Sequence, residues 1–136
     1  MLIRRESEGD ADQIRVITAA AFARPGRPDQ APPEVRLVDE LRQSPAWLPV
    51  LSLVAAGVGS ALMHAVLGAA DALGEPLVVL LGDPGYYRRF GFRLAAEYQI
   101  YPPVASWQPH FQVRLLTCYR PSVAGTFRYA EPFDRV

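Results

Sequence analysis

The chain has 136 residues, half of them hydrophobic, a length and composition that fit one domain with a single core. Its 14 basic and 14 acidic residues balance, which argues against a general attraction to nucleic acid or anionic lipid. The longest apolar run, Leu77–Leu81, is too short to cross a bilayer, and a lone cysteine, Cys118, excludes internal disulfides and cysteine-rich metal sites. We therefore expect one cytoplasmic domain over residues 1–136, with no metal and no nucleic-acid or membrane partner.

The first third of the chain predicts a short strand and two helices. Residues 2–6 are expected to form the strand. Asp10 with Gln13 three residues later is a variant of the capping box, which predicts that a helix begins there. The apolar positions that this helix is expected to bury are Ile14, Ile17 and Ala21. Pro32-Pro33 opens the second helix, because proline is favoured in a first helical turn. Its apolar face comprises Leu37, Val38 and Leu41. Both helices are expected to serve packing.

The middle of the chain predicts a strand, a glycine turn, a helix and a second strand. Val50–Val54 is apolar and rich in β-branched residues, as in a buried strand. After the turn at Ala56–Ser60, apolar residues recur at helical spacing from Val58 onward: Leu62, Ala65, Ala69 and Leu73. Gly74 stands where a C-cap glycine is expected. The continuous apolar run Leu77–Leu81 predicts a central strand covered on both faces.

The last third predicts one short helix and one alternating strand. A turn at Gly82–Gly85 leads into a helical segment, Tyr86–Phe90, which Gly91 closes. Phe111, Val113, Leu115 and Thr117 alternate with Gln112, Arg114 and Leu116 in a period-two pattern. Cys118 follows, and a buried, inert thiol is expected there. Strands that alternate with helices in this order indicate a mixed α/β domain.

The turn Ala56–Ser60 has the composition of an anion-binding turn. A strand that passes through closely spaced glycines into a helix offers free backbone N–H groups and the positive end of the helix dipole. Gly57 and Gly59 would permit the unusual dihedral angles and the close approach of a phosphate, and Ser60 could add a hydroxyl. Two glycines before a helix also occur in many turns that bind nothing, so other motifs must decide between these alternatives.

The stretch from Gly57 to Phe92 resembles the GNAT N-acetyltransferases. Gly57-Val58-Gly59-Ser60-Ala61-Leu62-Met63 is similar to the end of that family's acetyl-CoA motif, and Tyr87 through Phe92 is similar to its tyrosine-to-glycine-phenylalanine signature. The flanking segments, residues 3–6 and 125–129, resemble a bacterial branch of uncharacterised acetyltransferases. This resemblance implies a GNAT-like mixed sheet flanked by helices.

The resemblance also implies a reaction and a set of site residues. Acetyl-CoA would donate its acetyl group directly to a primary amine of a small molecule or peptide. The residues that would bind this cosubstrate are Ala56, Gly57, Val58, Gly59, Ser60, Ala61 and Arg88. Tyr87 matches the tyrosine that protonates the departing thiolate, and a phenol with an ordinary pKa of about 10 suits that role. The alternative for Tyr87 is a packing aromatic, and the alternative for Arg88 and Arg89 is a solvated surface.

Two features separate this chain from the family pattern. Val54 stands where the family usually has glutamine or arginine, and only Ala55 and Ala56 lie where further strands are expected. Either a central hairpin and strand are lost, or the sequence omits a segment. A sheet with fewer strands would expose an edge, which favours a homodimer. These departures also favour an alternative function, a non-catalytic acyl-CoA-binding or interaction module.

The general base cannot be assigned from a motif. Glu34, Glu40 and Asp83 qualify by charge alone, and a solvated carboxylate is the alternative for each.

Overall fold

The computed structural model describes residues 3–27, 29–55 and 59–135, and the chain divides into two compact units. The first unit comprises Met1–Arg4 and Val50–Arg128, and the second comprises Arg5–Pro49 and Tyr129–Val136. The expectation of one domain over residues 1–136 stays a prediction.

The second unit is built from two α-helices and short 3-10 turns. Helix α1 spans Ala11–Ala21, helix α2 spans Pro33–Arg42, and a 3-10 turn spans Glu131–Arg135. Pro33 begins α2, as predicted. The predicted burial of α1 is wrong in part, because Ile17 is 61% exposed. The contact of α1 with α2 includes an ion pair in which Arg15 Nε lies 2.8 Å from an Asp39 oxygen, so it is partly polar.

The strands within the described ranges form three small sheets. In chain order they are β1 (Ile3–Arg5), β2 (Leu53–Ala55), β3 (Leu77–Leu81), β4 (Arg93–Leu94), β5 (Ile100–Tyr101), β6 (Phe111–Leu115) and β7 (Gly125–Thr126). β1 pairs with β2, β5 pairs with β7 in parallel, and β3, β6 and β4 form an antiparallel sheet in that order. In this third sheet Leu77 pairs with Leu115 and Leu81 with Phe111.

The centre of the three-stranded sheet is β6, whereas the sequence predicted β3. Strand β3 pairs with β6 on one side and lies at the edge among the described residues. Although polar and apolar residues alternate at the start of β6, Gln112 is as buried as Phe111 and Val113 beside it. Both faces of β6 are therefore covered around Gln112, and the side-chain amide of Gln112 must find hydrogen-bond partners inside.

The α-helices in the described residues of the first unit are α3 (Gly59–Ala72) and the single turn α4 (Pro84–Tyr87), and 3-10 turns span Arg88–Phe90, Ala95–Tyr98 and Ala105–His110. The predicted end of α3 is confirmed: Gly74 has φ +79°, and Glu75 N donates to Ala70 O at 3.2 Å, as in a Schellman cap. The predicted strand Val50–Val54 is displaced, because Pro49–Leu51 forms a 3-10 turn and the strand begins only at Leu53. Cys118 is exposed, so its predicted burial is wrong: β6 ends before it, at Leu115.

Candidate active site

Helix α3 follows β2 closely, and its first residues are the later part of the predicted acetyl-CoA motif. Gly59 begins the helix, and Ser60 and Ala61 stand in its first turn. The first N–H groups of a helix lack intrahelical partners and carry the positive end of its dipole. Three further predicted cosubstrate residues, Ala56, Gly57 and Val58, lie outside the described residues.

The predicted catalytic tyrosine, Tyr87, is the last residue of α4. This turn starts where β3 ends, because Asp83 caps it and Pro84 supplies a preset helical φ. The Asp83 Oδ1 atom accepts a hydrogen bond of 2.9 Å from Gly85 N. Tyr86 N and Tyr87 N both donate to Asp83 O at 3.1 Å. The local sequence thus fixes the backbone of Tyr87 just beyond the C-terminal end of β3.

Aromatic neighbours surround the ring of Tyr87, which is half-buried. Its centroid lies 5.0 Å from the Tyr86 ring and 6.1 Å from the Phe92 ring, both in edge-to-face geometry. The fourth ring, that of Phe90, lies 6.5 Å away. The Tyr87 hydroxyl makes no hydrogen bond to any residue in the described ranges. A phenol held by its ring with an uncommitted hydroxyl can donate a proton to a ligand.

One hydrophobic cluster brings α3 and the Tyr87–Phe92 segment together. Its buried members are Leu67 of α3 with Phe90 and Phe92, and Met63 and Tyr87 pack against them. His64 of α3 also meets the Phe90 ring edge-on, at 5.3 Å between centroids. Both parts of the motif predicted from sequence therefore belong to a single packed region of the first unit.

Gly91 explains why the segment ends in glycine followed by phenylalanine. Its φ is +83°, a conformation that β-carbon sterics disfavour in other residues, and it reverses the chain so that Phe92 enters the core. A Cβ at Gly91 would lie 2.7 Å from Arg114 Nε. That Nε donates to Phe90 O at 3.1 Å, so β6 holds the segment through Arg114.

Two residues near Tyr87 were not assigned a function from the sequence: Gly82, which contacts the Tyr87 ring, and Gln112, which is hydrogen-bonded to Gly82. A Cβ at Gly82 would lie only 2.5 Å from Tyr87 Cε2, so the tyrosine ring rests on the bare α-carbon. The buried Gln112 amide donates from Nε2 to Gly82 O at 2.9 Å. The available clue was a polar residue between two bulky apolar residues, Phe111 and Val113, in a predicted strand.

The two arginines after Tyr87 behave differently. Arg88 is exposed and makes no ion pair with any residue in the described part of the chain. Arg89 lies over the Tyr86 ring, 4.4 Å from its centroid, and its Nε donates to Tyr86 O at 3.0 Å. Of these two arginines, Arg88 is thus the one available to bind a phosphate, whereas Arg89 contacts the ring and the carbonyl of Tyr86.

The three candidate bases have different environments. Asp83 is committed to capping α4. Glu40 bonds Arg36 and Arg135, and the Arg135 hydrogen bond is the main reason why the pKa of Glu40 is lowered. Glu34 lies in the second unit with Glu40, 3.9 Å from an Arg24 nitrogen. None of these contacts singles out a base.

Residues 3–27, 29–55 and 59–135 contain no group of three metal-ligating side chains. None of the helices in these ranges is long and apolar enough to span a membrane. The second unit holds a cavity of about 450 Å³, whose charged lining residues are Arg36, Asp39, Glu40 and Arg135. Tyr87 belongs to the first unit and does not line it.

Comparison with known proteins finds relatives but no matching family model. The uncharacterized N-acetyltransferase YhbS of Escherichia coli strain K12, and its counterpart in E. coli O157:H7, are 36% identical to this chain over 80 residues. These residues are 58% of this chain and 48% of the relative, so by sequence the chain spans about half the length of the curated relatives it matches.

A solved structure has the same fold. The crystal structure of the GNAT family N-acetyltransferase YhbS from E. coli in complex with CoA superposes with a TM-score of 0.76. The superposition covers 98% of this chain and 92% of the other, at 24% sequence identity. The predicted GNAT-like α/β fold is therefore confirmed.

Proposed function

This chain is a homologue of the GNAT family N-acetyltransferase YhbS, and we propose that it is an acyltransferase that moves an acetyl group from acetyl-CoA to a primary amine. The acceptor is a small molecule or a peptide. The observation that carries the proposal is the packing of the Tyr87–Phe92 segment against α3 in one hydrophobic cluster. This packing places a phenol and a helix N-terminus in one region of the first unit.

Tyr87 acts as the general acid in this proposal. The amine nitrogen attacks the thioester carbonyl, the C–N bond forms, and the C–S bond breaks. The sulfur leaves as a thiolate and takes the phenolic proton of Tyr87. The half-buried ring, fixed by its aromatic neighbours, limits the positions that the hydroxyl can occupy. The amine loses its own proton to water, and a proton from solvent restores the Tyr87 phenol.

The phosphates of acetyl-CoA bind at the start of α3. Gly59, Ser60 and Ala61 offer backbone N–H groups there, and Ala56, Gly57 and Val58 precede them in the sequence. Arg88 adds a positive charge from the segment that packs on the same cluster as Met63. Neither a metal ion nor a second cofactor is needed for direct transfer from a thioester to an amine.

A non-catalytic acyl-CoA-binding module is the alternative function. It is favoured by the partial sequence match, which covers 48% of the relative, and by the two residues that stand where the family has further strands. The module would bind acetyl-CoA without turnover. Calorimetric binding of acetyl-CoA, together with no thiol release for any amine, would select it.

We further propose that the protein acts in the cytoplasm as a homodimer. A reducing compartment suits a chain with one exposed cysteine. The apolar strand β3 carries no lysine or proline to protect its edge, so pairing with a second copy would cover it.

The catalytic role is tested by Tyr87→Phe, which keeps the ring and removes the proton. We expect kcat for CoA thiol release with a panel of amines to fall by about 10²- to 10⁴-fold, while acetyl-CoA affinity stays within about twofold. Tyr86→Phe is the matched control, because it removes a hydroxyl one residue away and keeps its ring contacts. Equal rates for Tyr87→Phe and the unmodified chain would exclude Tyr87 as the acid.

The binding role is tested by Gly59→Glu, which puts bulk and a negative charge at the first residue of α3. We expect acetyl-CoA binding to be lost in calorimetry, because the carboxylate repels the phosphates. Gly68→Glu makes the same change on an exposed position of the same helix, where nothing lies within 4 Å of an added Cβ. Loss of binding in both variants, or in neither, would contradict a site at the helix start.

A further inference from the structure

The position of the Tyr87 ring depends on the backbone of Gly82. An added Cβ would lie 2.5 Å from Tyr87 Cε2 and 3.1 Å from Cδ2, so no β-carbon fits between them. Cε2 is bonded to the carbon that carries the hydroxyl. The hydroxyl-bearing side of the ring therefore rests directly on the chain at Gly82.

Hydrogen bonds to His110 and Gln112 hold both the N–H group and the carbonyl group of Gly82. Its N–H donates to His110 O at 2.9 Å, which extends the β3–β6 ladder one residue past Leu81. Its carbonyl accepts from Gln112 Nε2 at 2.9 Å. The same nitrogen lies 3.4 Å from His110 O, so one amide links both points. Gln112 is 1% exposed, and water cannot readily replace it as a donor.

We propose that Gln112 and Gly82 are positioning residues for the proposed transfer: Gln112 fixes the Gly82 peptide, and Gly82 sets the place of the Tyr87 phenol. This inference rests on the proposed function of Tyr87 and explains two features that packing alone does not require. A buried glutamine occupies the central strand where an apolar residue would fill the space. A glycine with no unusual φ faces the tyrosine ring from the end of strand β3.

Two substitutions test this arrangement, with 3-fluorotyrosine incorporated at position 87 as a ¹⁹F NMR probe. Gly82→Ala pushes on the ring, and because the Gly82 backbone is tied at both ends, the side chain is the part that moves. Gln112→Met keeps length and removes the donor. We expect both to shift the ¹⁹F resonance. Gly68→Ala, on the open side of α3, should leave it unchanged.

Kinetics then separate positioning from general stability. We expect each substitution to lower kcat for thiol release by about 10- to 100-fold, with the KM for acetyl-CoA within about twofold, because small misplacements of a reacting group are costly. In a Tyr87→Phe background the same substitutions should change kcat by less than about twofold, since no proton donor is left to misplace.

The two parts of the experiment fail in different ways. Absence of turnover in the unmodified chain would count against the proposed function, while the NMR shifts would still report the ring position. An unchanged resonance in Gly82→Ala, or a loss of kcat that is equally large in the Tyr87→Phe background, would overturn the positioning role. If Gln112→Met fails to fold, Gly82→Ala alone tests the positioning role. This variant is expected to fold, because movement of the Tyr87 side chain relieves the steric clash with the added Cβ.

Discussion

At Gly91 both the backbone conformation and the packing of neighbouring side chains favour glycine. Its positive φ disfavours any β-carbon, and the space that a β-carbon would occupy is filled by Arg114. Arg114 in turn bonds Phe90 O and Leu115 O, so it joins the Tyr87–Phe92 segment to β6. The glycine of the signature is thus explained by local sterics as well as by any ligand.

We predict that Gly91→Ala destabilises the protein more than Gly74→Ala. Both glycines have φ near +80°, so both substitutions carry left-handed strain of about 1–2 kcal/mol. Only Gly91 meets another group, Arg114, at 2.7 Å; at Gly74 nothing lies within 4 Å. Urea unfolding of the two variants measures the difference. Equal losses would show that Arg114 moves aside freely.

Secondary-structure elements with strong local signals were predicted well from the sequence. Helix α3 has apolar residues at helical spacing and a glycine cap, and it forms over Gly59–Ala72 as expected. The order of strands was not predictable in the same way, because β3 looks more apolar than β6 yet lies at the edge. Sheet order depends on pairing between distant segments, which apolar content does not reveal. Gln112 was missed for the same reason.

The Glu40–Arg135 ion pair joins α2 to the 3-10 turn Glu131–Arg135, and the lowered pKa of Glu40 makes its contribution to stability depend on pH. Its ionised form is stabilised first by the hydrogen bond from Arg135 and then by the charges of Arg135 and Arg36, which lowers its pKa below 4.5. The contribution to stability is therefore fully present above about pH 4.5 and is lost as pH falls through the lower, folded-state value. Below that value the protonated carboxyl no longer favours the folded state.

Carboxyl ¹³C NMR should therefore find the Glu40 pKa depressed, and Arg135→Gln should raise it more than Arg36→Gln does. In parallel, the difference in melting temperature between the unmodified chain and Glu40→Gln should shrink as pH falls below about 4.5. A Glu40 titration that is indifferent to Arg135 would show that this ion pair does not persist in solution.

At the scale of the whole molecule, the fold is better defined than the activity. The resemblance of the Gly57–Phe92 stretch predicted the GNAT-like α/β fold, and the superposition on the CoA-bound YhbS structure confirms it over 98% of the chain. The predicted cosubstrate residues Ala56, Gly57 and Val58 lie outside the described residues. The acceptor was beyond prediction, because no local motif marks an amine-binding surface.

The apolar edge strand β3 favours the assembly of two copies of this chain. We expect sedimentation equilibrium at micromolar concentration to give twice the chain mass of 15.0 kDa, because an apolar edge that pairs with no second strand in the described part of the chain gains hydrogen bonds by pairing with a second copy. Leu81→Lys places a charge at the end of that edge, on a side chain that is already exposed, and should give a monomer. Leu73→Lys adds the same charge at an equally exposed leucine outside the strand and should leave the mass unchanged. A dimer that survives Leu81→Lys but dissociates with Leu73→Lys would place the interface at the end of α3 instead of at the sheet edge.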